Sequence, residues 1–575
     1  MTGKIAILLE TWIRREDKIK YMRDSGGQCA SPASNVLWED HIFGPQAPLA
    51  KTSILPSTYI SPKEDEISLT MSCFFTSTLT PALVVFLLYL TYKLWRYKHV
   101  CLPPGPQPLP LIGNIHQIPL EHSHLTFARW GKQYGPITYI SLFGKPVIIL
   151  NTSQATLDLL EKRSVSYANR PRLIMAGEIV GYENAVTLAQ YDSLHKERRK
   201  MIYEAFSSRK LSRYHEYEEQ RVRKFAADLL RDPRNFLHHI AVYVAAVVFH
   251  ATHGHEVLSH DDPFVHLAEK CGEDFAEMVR PGAFLVDVLP FLRYIPEWFP
   301  FTGFKQKAKL YRDTADRARD IPYDSVKKEW IDGMAKPSLT ADILEAKPSR
   351  TPEEDFSYRW LTATIYAAGA DTSNSNLSSF ILAMALHPEV QRKASAELDR
   401  VVGPNRLPTF SDRHSLPYIR ALCLETLRLY CPAPTALPHL AIKDDEYLGY
   451  HIPAGSTVIA NTWAILHDPM NYPEPEKFIP ERFMDTGLET AEFLDPRIFA
   501  FGYGRRVCPG RWFAEDMIFI VAATVLCLFE IGPASSGPPS GEFSPTLVIR
   551  PKPFECSIKP RSPEAEKLIK DIESM

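Results

Sequence analysis

A single cysteine near the C-terminal end of the chain stands in an unusual setting. It is Cys508, in the stretch FGYGRRVCPG from Phe501 to Gly510. The residues that follow, PGRWFAEDMIFIVAATVLCLF, have the pattern of a helix that begins just after the cysteine. Three arginines lie close to it in sequence: Arg505, Arg506 and Arg511. A helix N-terminus and nearby cations lower the pKa of a thiol, so we expect Cys508 to be a thiolate held for a metal. The alternative is a surface turn with an incidental thiol.

The same loop is rich in glycine, with Gly502, Gly504 and Gly510. Glycine lacks a Cβ, so it lets the backbone approach a flat ligand closely and leaves amide groups free to point at the sulfur. No partner cysteine or histidine lies near Cys508 in sequence. A metal bound there would take its other ligands from a cofactor, and the sequence predicts that this cofactor is haem.

A second group of polar residues interrupts an apolar helical stretch from about 355 to 387, which Pro388 ends. This segment is AAGADTS, from Ala367 to Ser373. A mid-helix glycine costs about 1 kcal/mol relative to alanine, and Thr372 can bond back to the carbonyl of Ala368, which bends helices. Such a defect opens a groove, and Asp371 and Thr372 form an acid–alcohol pair that can relay protons. A tolerated glycine beside a polar patch is the alternative interpretation.

The pattern F-G-x-G-x-R-x-C-x-G resembles the haem-binding signature of the cytochrome P-450 monooxygenases, with six fixed positions matched. The resemblance implies that Cys508 is the axial ligand of the haem iron and that Arg506 contacts a haem propionate. It also implies that Phe501 shields the thiolate, and it places Gly502 and Gly510 in the cofactor-binding loop.

The resemblance extends over roughly 103–561, with further motifs in the family's order. AAGADTS is similar to the family's oxygen-activating helix, which implies that Asp371 and Thr372 are the catalytic proton-delivery pair. His439, in ALPHLA, matches a position that contacts a haem propionate in the family.

The motif ETLR, from Glu425 to Arg428, places an acid and a base on one helix face. Spacing alone means little, because other pairs share it and are interpreted as mostly solvated ion pairs: Glu218/Arg221, Glu277/Arg280, Glu389/Arg392 and Glu397/Arg400. The context differs here, since FIPERF follows with Arg482. This order resembles the family's Glu–Arg–Arg network, which implies a structural role for Glu425, Arg428 and Arg482.

One motif departs from the family. Its members usually carry W-x-x-x-R on a helix that contacts haem, and YDSLHKERRKM has His195 in place of the tryptophan. Arg199 fits the arginine of that motif. His195 could still donate a hydrogen bond to a propionate, or haem could be held less firmly.

The composition excludes several classes of function. The 575 residues carry a net charge of -3, so no broad basic field favours nucleic acid. Nine cysteines without a C-x-x-C pair argue against a structural zinc site and a disulfide framework. The histidines His250, His253 and His255 have a spacing that suits no common zinc site.

A long uncharged segment near the N-terminus predicts attachment to a membrane. No charged residue occurs from Ile67 to Tyr92, and about 20 apolar residues span a bilayer. We predict a transmembrane anchor over 71–92, with basic residues after it that place the bulk of the protein on the cytosolic side. A cleaved signal peptide or a buried core helix are the alternatives. Residues 1–70 are interpreted as a disordered extension or a mispredicted start, with translation beginning at Met71.

The elements that position the motifs follow this anchor. Residues 93–106 are predicted to form a basic, proline-rich linker, and 107–575 a single haem-thiolate catalytic domain. By the resemblance, its fold is mainly α with small β-sheets, and haem lies between the oxygen-binding helix and the cysteine-loop helix. YGPITYISLFGKPVIILN predicts a hairpin. The aromatic segment 281–308 is either ordinary core with turns or a surface that enters the bilayer interface.

The resemblance implies a monooxygenase of the endoplasmic reticulum membrane. It would insert one oxygen atom from O₂ into a lipophilic small molecule, by hydroxylation or epoxidation, in fungal secondary metabolism or xenobiotic oxidation. Because the chain lacks flavin or dinucleotide motifs, electrons from NADPH would come through a separate NADPH–cytochrome P-450 reductase. The alternatives are a haem-thiolate isomerase or dehydratase that needs no reductase, and a non-catalytic haem-binding relative.

Overall fold

The computed structural model describes residues 101–259, 261–280, 282–300, 302–484 and 495–573. The predicted extension, the anchor over 71–92 and the first part of the linker lie outside these residues. The first eight α-helices are α1 (Ser123–Tyr134), α2 (Ser153–Thr156), α3 (Ser193–Phe206), α4 (Ser212–Arg231), α5 (Phe236–His253), α6 (Pro263–Val279), α7 (Leu285–Val288) and α8 (Gly303–Ile331). They are followed by α9 (Leu339–Ala346), α10 (Pro352–Leu386), α11 (Pro388–Val401), α12 (Pro417–Leu429), α13 (Thr462–Leu466), α14 (Arg497–Ala500), α15 (Arg511–Leu528) and α16 (Pro563–Glu573).

Short 3₁₀ and π-helical segments lie between these helices. The 3₁₀ turns include Ile115–Gln117, Ser164–Tyr167, Tyr182–Asn184, Pro233–Asn235, Pro290–Tyr294, Phe410–Ser415, Pro480–Phe483 and Gly504–Arg506. Two π-helical segments span Leu157–Lys162 and Ile174–Ile179.

The strands form three small sheets. They are β1 (Ile137–Leu142), β2 (Lys145–Leu150), β3 (His439–Leu440), β4 (Asp445–Tyr447), β5 (Tyr450–Ile452), β6 (Thr457–Ala460), β7 (Phe529–Pro533) and β8 (Cys556–Pro560). The largest has the order β1-β2-β6-β3, in which β2 and β6 are parallel and the other neighbours antiparallel. The other two sheets are the antiparallel pairs β4–β5 and β7–β8. The mainly α fold with small sheets is confirmed, and so is the predicted hairpin, which is β1–β2.

The core is built around three apolar helices, α5, α10 and α15, which contribute to one cluster of buried side chains. The stretch Pro233–His253 is the one helix in the described residues that is long and apolar enough to cross a membrane. Its mean hydropathy is 1.3, but 72% of that window is buried. We therefore interpret it as a core helix.

The described part of the proline-rich linker packs against the β-sheets. The carbonyl of Cys101 accepts from the backbone N–H of His451, and that of Pro104 accepts from Tyr139. At Gly105, a Cβ would lie 1.9 Å from the carbonyl oxygen of Tyr139, so only glycine fits this approach. Residues 101–106, the described end of the predicted linker, therefore pack on the sheets.

The segment from α7 to the start of α8 is poor in buried side chains. Its large apolar residues are exposed: Leu285, Leu289, Phe291, Tyr294, Trp298 and Phe299. Trp298 is 82% exposed, so this segment is not ordinary core. Lys145 Nζ at the start of β2 donates to the carbonyl of Asp287, which ties the segment to the hairpin.

Candidate active site

The cysteine loop is a compact turn between α14 and α15. The backbone N–H of Cys508 donates to the carbonyl of Phe501 at 2.6 Å, which closes the loop. The helix α15 begins three residues later, with Gly510 at its N-cap. The sequence therefore placed both the loop and the helix start correctly.

Gly504 is the position in this loop where glycine is required. Its φ is +53°, and an added Cβ would lie 2.2 Å from the carbonyl oxygen of Leu160. Its backbone N–H donates to Glu161 Oε2 at 2.6 Å. The loop is thus seated directly on the π-helical segment Leu157–Lys162.

Opposing influences act on the pKa of the Cys508 thiol. Burial raises the pKa of its thiol, and the backbone N–H of Gly510 and the charges of Arg199 and Arg511 offset only part of that rise. The loss of hydration therefore opposes the effect that we expect from the helix start and the nearby arginines. A coordinated metal ion deprotonates a thiol outright, so the site suits a metal-bound cysteine.

The guanidinium of Arg506 is buried among hydrogen-bond acceptors. Its guanidinium donates to the carbonyls of Ala168 and Ala189 at 2.5 and 2.6 Å. Its Nη1 lies 2.6 Å from Nε2 of His195. An arginine has no acceptor, so Nε2 must accept this hydrogen bond and the imidazole carries its proton on Nδ1.

His195 is held in place by the first turn of α3. Asp192 caps this helix and accepts from the backbone N–H of His195 at 2.7 Å. The imidazole is 1% exposed, and burial and the charge of Arg506 lower its pKa to about 3. Its Nδ1 is buried and lacks a hydrogen-bond partner among the described residues. A neutral ring with an unpaired N–H donor is therefore presented beside Arg506.

Five basic side chains lie together here: Arg170, Arg199, Arg506, His195 and His439. Burial and mutual repulsion lower the pKa of Arg170 to about 9 and that of Arg506 to about 10. Burial and the charge of Arg170 lower the pKa of His439 to about 3. Within the described part of the chain, none of the five forms an ion pair with a carboxylate. The two histidines are neutral at these pKa values, so the positive charge of the group comes from its three guanidinium groups, which favours an anionic ligand.

Arg170 is a member of this group that sequence reasoning missed as a binding residue. It donates to the carbonyls of Thr187, Leu437 and Pro438. Arg199, which is predicted to bind the cofactor, reaches the cysteine loop, where it donates to the carbonyl of Val507 at 2.6 Å. The signal that could have found Arg170 is weak, since an arginine before a proline occurs in many turns.

The helix α10 has an open window in its middle. It is buried from Tyr358 to Tyr366 for the most part and again from Ser373 to Ala385, but Ala367 and Ala368 are exposed. Thr372 donates to the carbonyl of Ala368 at 2.8 Å, as the sequence predicts. The helix is continuous here, and Gly369 serves close packing, because its Cβ position lies 3.3 Å from Val248 of α5.

Asp371 lies in this window. Its carboxylate is 44% exposed and lies 3.7 Å from the guanidinium of Arg550. Burial raises the pKa of Asp371, and Arg550 lowers it by a smaller amount. An acid and an alcohol thus share the partly exposed turn of α10 that follows Ala367 and Ala368.

Comparisons with known proteins agree with these arrangements. The sequence model of the family described as cytochrome P-450 matches residues 103–558. Cytochrome P-450 monooxygenase 208 of Postia placenta is 40% identical over 492 residues, which cover 85% of this chain and 96% of that protein. The chain belongs to the cytochrome P-450 family. Monooxygenase claR of Ampulloclitocybe clavipes is 38% identical, covering 82% of this chain and 88% of the relative. Monooxygenase COX2 of Coprinopsis cinerea is 37% identical, covering 82% and 91%.

The P-450 family implies a haem cofactor, and the site fits one. Haem carries two propionates, and the group of buried arginines without carboxylate partners, with the unpaired Nδ1 of His195, is what a dianionic ligand requires. The chain is accordingly an oxidoreductase of the P-450 monooxygenase class.

The Glu–Arg–Arg network of this P-450 is fully assembled. Glu425 and Arg428 are both 0% exposed and form two hydrogen bonds of 2.8 and 2.9 Å. Arg482 Nε lies 3.2 Å from the same carboxylate. Arg428 also donates to the carbonyls of Leu466 and Lys477, so the network joins three segments behind the cysteine loop.

Two of the four other acid–base pairs of the same spacing, Glu218/Arg221 and Glu397/Arg400, are not solvated ion pairs, so that interpretation is wrong for them. Glu218 is 0% exposed, neither oxygen has a partner among the described residues, and burial raises its pKa well above the usual range. Glu397 accepts from the backbone N–H groups of Tyr418 and Ile419 instead of pairing with Arg400. The period of a helix places residues i and i+3 on one face, but tertiary packing decides whether that face is exposed to solvent.

The three histidines at the C-terminal end of α5 have separate partners: His250 and His253 lie in its last turns and His255 follows it. The ring of His250 stacks on Tyr217 at 3.5 Å, and His255 lies 2.7 Å from Asp262. His253 shares a hydrogen bond with Thr252. These contacts are structural ones between α4, α5 and α6.

Proposed function

We propose that this chain is a membrane-bound, haem-thiolate monooxygenase that uses NADPH and O₂ to hydroxylate or epoxidise a lipophilic small molecule. The observation that carries the proposal is the combination of one loop cysteine with a buried, unpaired group of cations. That combination matches a cofactor with one metal and two carboxylates.

The same residues assign how haem b is held. Cys508 would bind the iron through its sulfur, with Phe501, Gly502 and Gly510 in the loop around it. Arg170, Arg199, Arg506, His195 and His439 would hold the propionates. When bound, the haem supplies the chemistry that activates O₂.

The chain's own contribution to the reaction is proton delivery. Asp371 and Thr372 lie in the open window of α10, where the carboxyl group can take a proton from solvent and the hydroxyl can pass it inward. Each turnover takes two electrons and two protons, and it yields one water and one oxygen atom inserted into the substrate.

Electrons must come from a partner, NADPH–cytochrome P-450 reductase. Exposed basic side chains on α3 and the cysteine loop support contact with an acidic partner: Lys196, Lys200 and Arg505. Exposed carboxylates lie among them, at Glu161, Glu197 and Glu204. Opposite charges on two partners speed their encounter.

Attachment to the endoplasmic reticulum membrane is part of the proposal. It is supported by the uncharged stretch 67–92 and by the exposed apolar segment from Leu285 to Phe299. An exposed group of this size, with two aromatic rings at Trp298 and Phe299, suits the boundary between lipid headgroups and acyl chains.

Co-expression with a P-450 reductase, followed by untargeted comparison of metabolites, tests the function. We expect new products that carry one added oxygen and that disappear when the reductase or the thiolate is removed. Products that form without reductase and NADPH would instead favour an isomerase or dehydratase. Normal thiolate haem without any NADPH-driven product would favour a non-catalytic relative.

Replacement of His195 by phenylalanine is expected to speed haem loss by roughly 10- to 150-fold, because a hydrogen bond to a charged group is worth about 1.5–3 kcal/mol. The measurement is the rate of haem transfer from the purified protein to an excess of a haem-scavenging protein. His195→Trp restores an N–H donor and should recover most of the retention.

The matched control is His116→Phe, at an exposed histidine outside this group. It should leave the transfer rate unchanged. Equal rates for His195→Phe and the wild type would show that Nδ1 does not reach the cofactor.

A further inference from the structure

The C-terminal loop between β7 and β8 is attached to α10 at two adjacent points. Ser375 Oγ donates to the carbonyl of Ile549 at 2.5 Å, in a buried hydrogen bond. The next residue, Arg550, places its guanidinium 3.7 Å from the carboxylate of Asp371. Residues 371 and 375 are one turn apart on the helix, so the two contacts lie on the same face. The register of the loop on the helix is therefore fixed.

Hydrogen bonds and a ring contact hold the loop around Arg550 in one conformation. Its backbone N–H donates to Ser544 Oγ, and its carbonyl accepts from the N–H of Ser544 at 2.8 Å. The N–H of Ile549 donates to the carbonyl of Pro432. The ring of Phe543 stacks on that of Tyr430 at 5.6 Å. The contact between Arg550 and Asp371 thus comes from the architecture of the site.

Arg550 is the charged group that faces Asp371 from the neighbouring elements. Both side chains are about half exposed, at 48% and 44%. An ion pair of this kind is weak in bulk water, but it strengthens when a lipophilic substrate displaces the water around it.

We propose that Arg550 is a positioning residue for Asp371, holding its carboxylate ionised and beside Thr372 so that protons reach reduced O₂ by one route. The inference rests on the proposed function. In productive turnover, two electrons from NADPH and two protons turn one O₂ into one water and one inserted oxygen atom. Without directed proton delivery, the same two electrons and two protons leave as hydrogen peroxide.

The test uses the full-length holoenzyme in lipid vesicles with reductase, NADPH and 7-ethoxycoumarin as a lipophilic probe. The hydrogen peroxide released per NADPH consumed is measured for the wild type, Arg550→Gln, Asp371→Asn and the double variant. We expect Arg550→Gln to raise this ratio about three- to fivefold, as fits a partly exposed ion pair that tightens on desolvation. The double variant should be no worse than Asp371→Asn, because both changes act on one group.

Two further measurements separate positioning from loop folding. Arg550→Lys keeps a cation and should restore most of the coupling, whereas a purely structural role for the guanidinium fork would not be rescued. Without Arg550 the pKa of Asp371 should rise, so the pH midpoint of the peroxide ratio should move to higher pH. Lys552→Gln, two residues along the loop, removes a cation paired with Glu542 at 2.7 Å and should change neither reading.

Two results would overturn the inference. If the wild type consumes NADPH but Arg550→Gln keeps its peroxide ratio and its pH midpoint, Arg550 does not position Asp371. If the wild type shows thiolate haem but consumes no NADPH with reductase, the proposed function fails first and this inference falls with it.

Discussion

Replacement of Cys508 by alanine is expected to abolish product formation and the thiolate-type Soret band of the reduced carbon monoxide complex. The structure offers one sulfur at this point of the loop, between Phe501 and the start of α15, and no other side chain there can replace a thiolate. Loss should be complete within detection, whereas stability should change by only about 1 kcal/mol. The backbone hydrogen bond from residue 508 to Phe501 does not depend on the side chain.

Cys101→Ala is the matched control, since this thiol is exposed and far from the loop in sequence. It should retain full spectrum and turnover. A Cys508→Ala protein that still shows the thiolate band, or still forms the same products with NADPH, would refute the assignment of the iron ligand.

Loss of Glu425 should have the largest effect on stability. The carboxylate is wholly buried against Arg428, and its removal leaves an uncompensated guanidinium in the interior. Breaking a buried pair from one side costs about 3–5 kcal/mol, which is a large part of the stability of a typical domain. We therefore expect Glu425→Ala to lower the urea midpoint sharply and to yield little protein that contains haem.

Glu566→Ala provides the comparison, because Glu566 pairs with Lys570 on the surface of α16. Such exposed pairs contribute about 0–1 kcal/mol, so its unfolding curve should nearly overlay that of the wild type. Similar curves for Glu425→Ala and Glu566→Ala would mean that the network does not support the fold.

Much of the fold could be predicted where local signals are strong. Pro352 and the capping box of Thr351 and Glu354 start α10, and Pro388 follows its end, so that helix lies close to where the pattern placed it. The hairpin β1–β2 and the helix after Cys508 follow in the same way from alternation and from an apolar run. Each of these signals involves only a few neighbouring residues, so it can be read from the sequence alone.

The features that sequence reasoning missed depend on contacts between distant segments. The pair of His195 and Arg506 spans 311 positions, and nothing local distinguishes an arginine that meets a histidine from one that meets water. The raised pKa of Cys508 and the burial of Glu218 arise from what other helices cover. Spacing shows which residues can share a face, and only packing shows what that face contacts.

The seat of Gly504 on Leu160 and Glu161 bears on how this enzyme can be recombined with its relatives. A cysteine loop transplanted from another member would pack against a Leu157–Lys162 segment that it did not evolve with. The fit there is close, because a Cβ at residue 504 would lie only 2.2 Å from the carbonyl oxygen of Leu160. The π-helical segment and the cysteine loop are more than three hundred positions apart in sequence, yet they pack together and should be exchanged together. Chimeras should therefore carry Leu157–Lys162 and Phe501–Gly510 from the same parent.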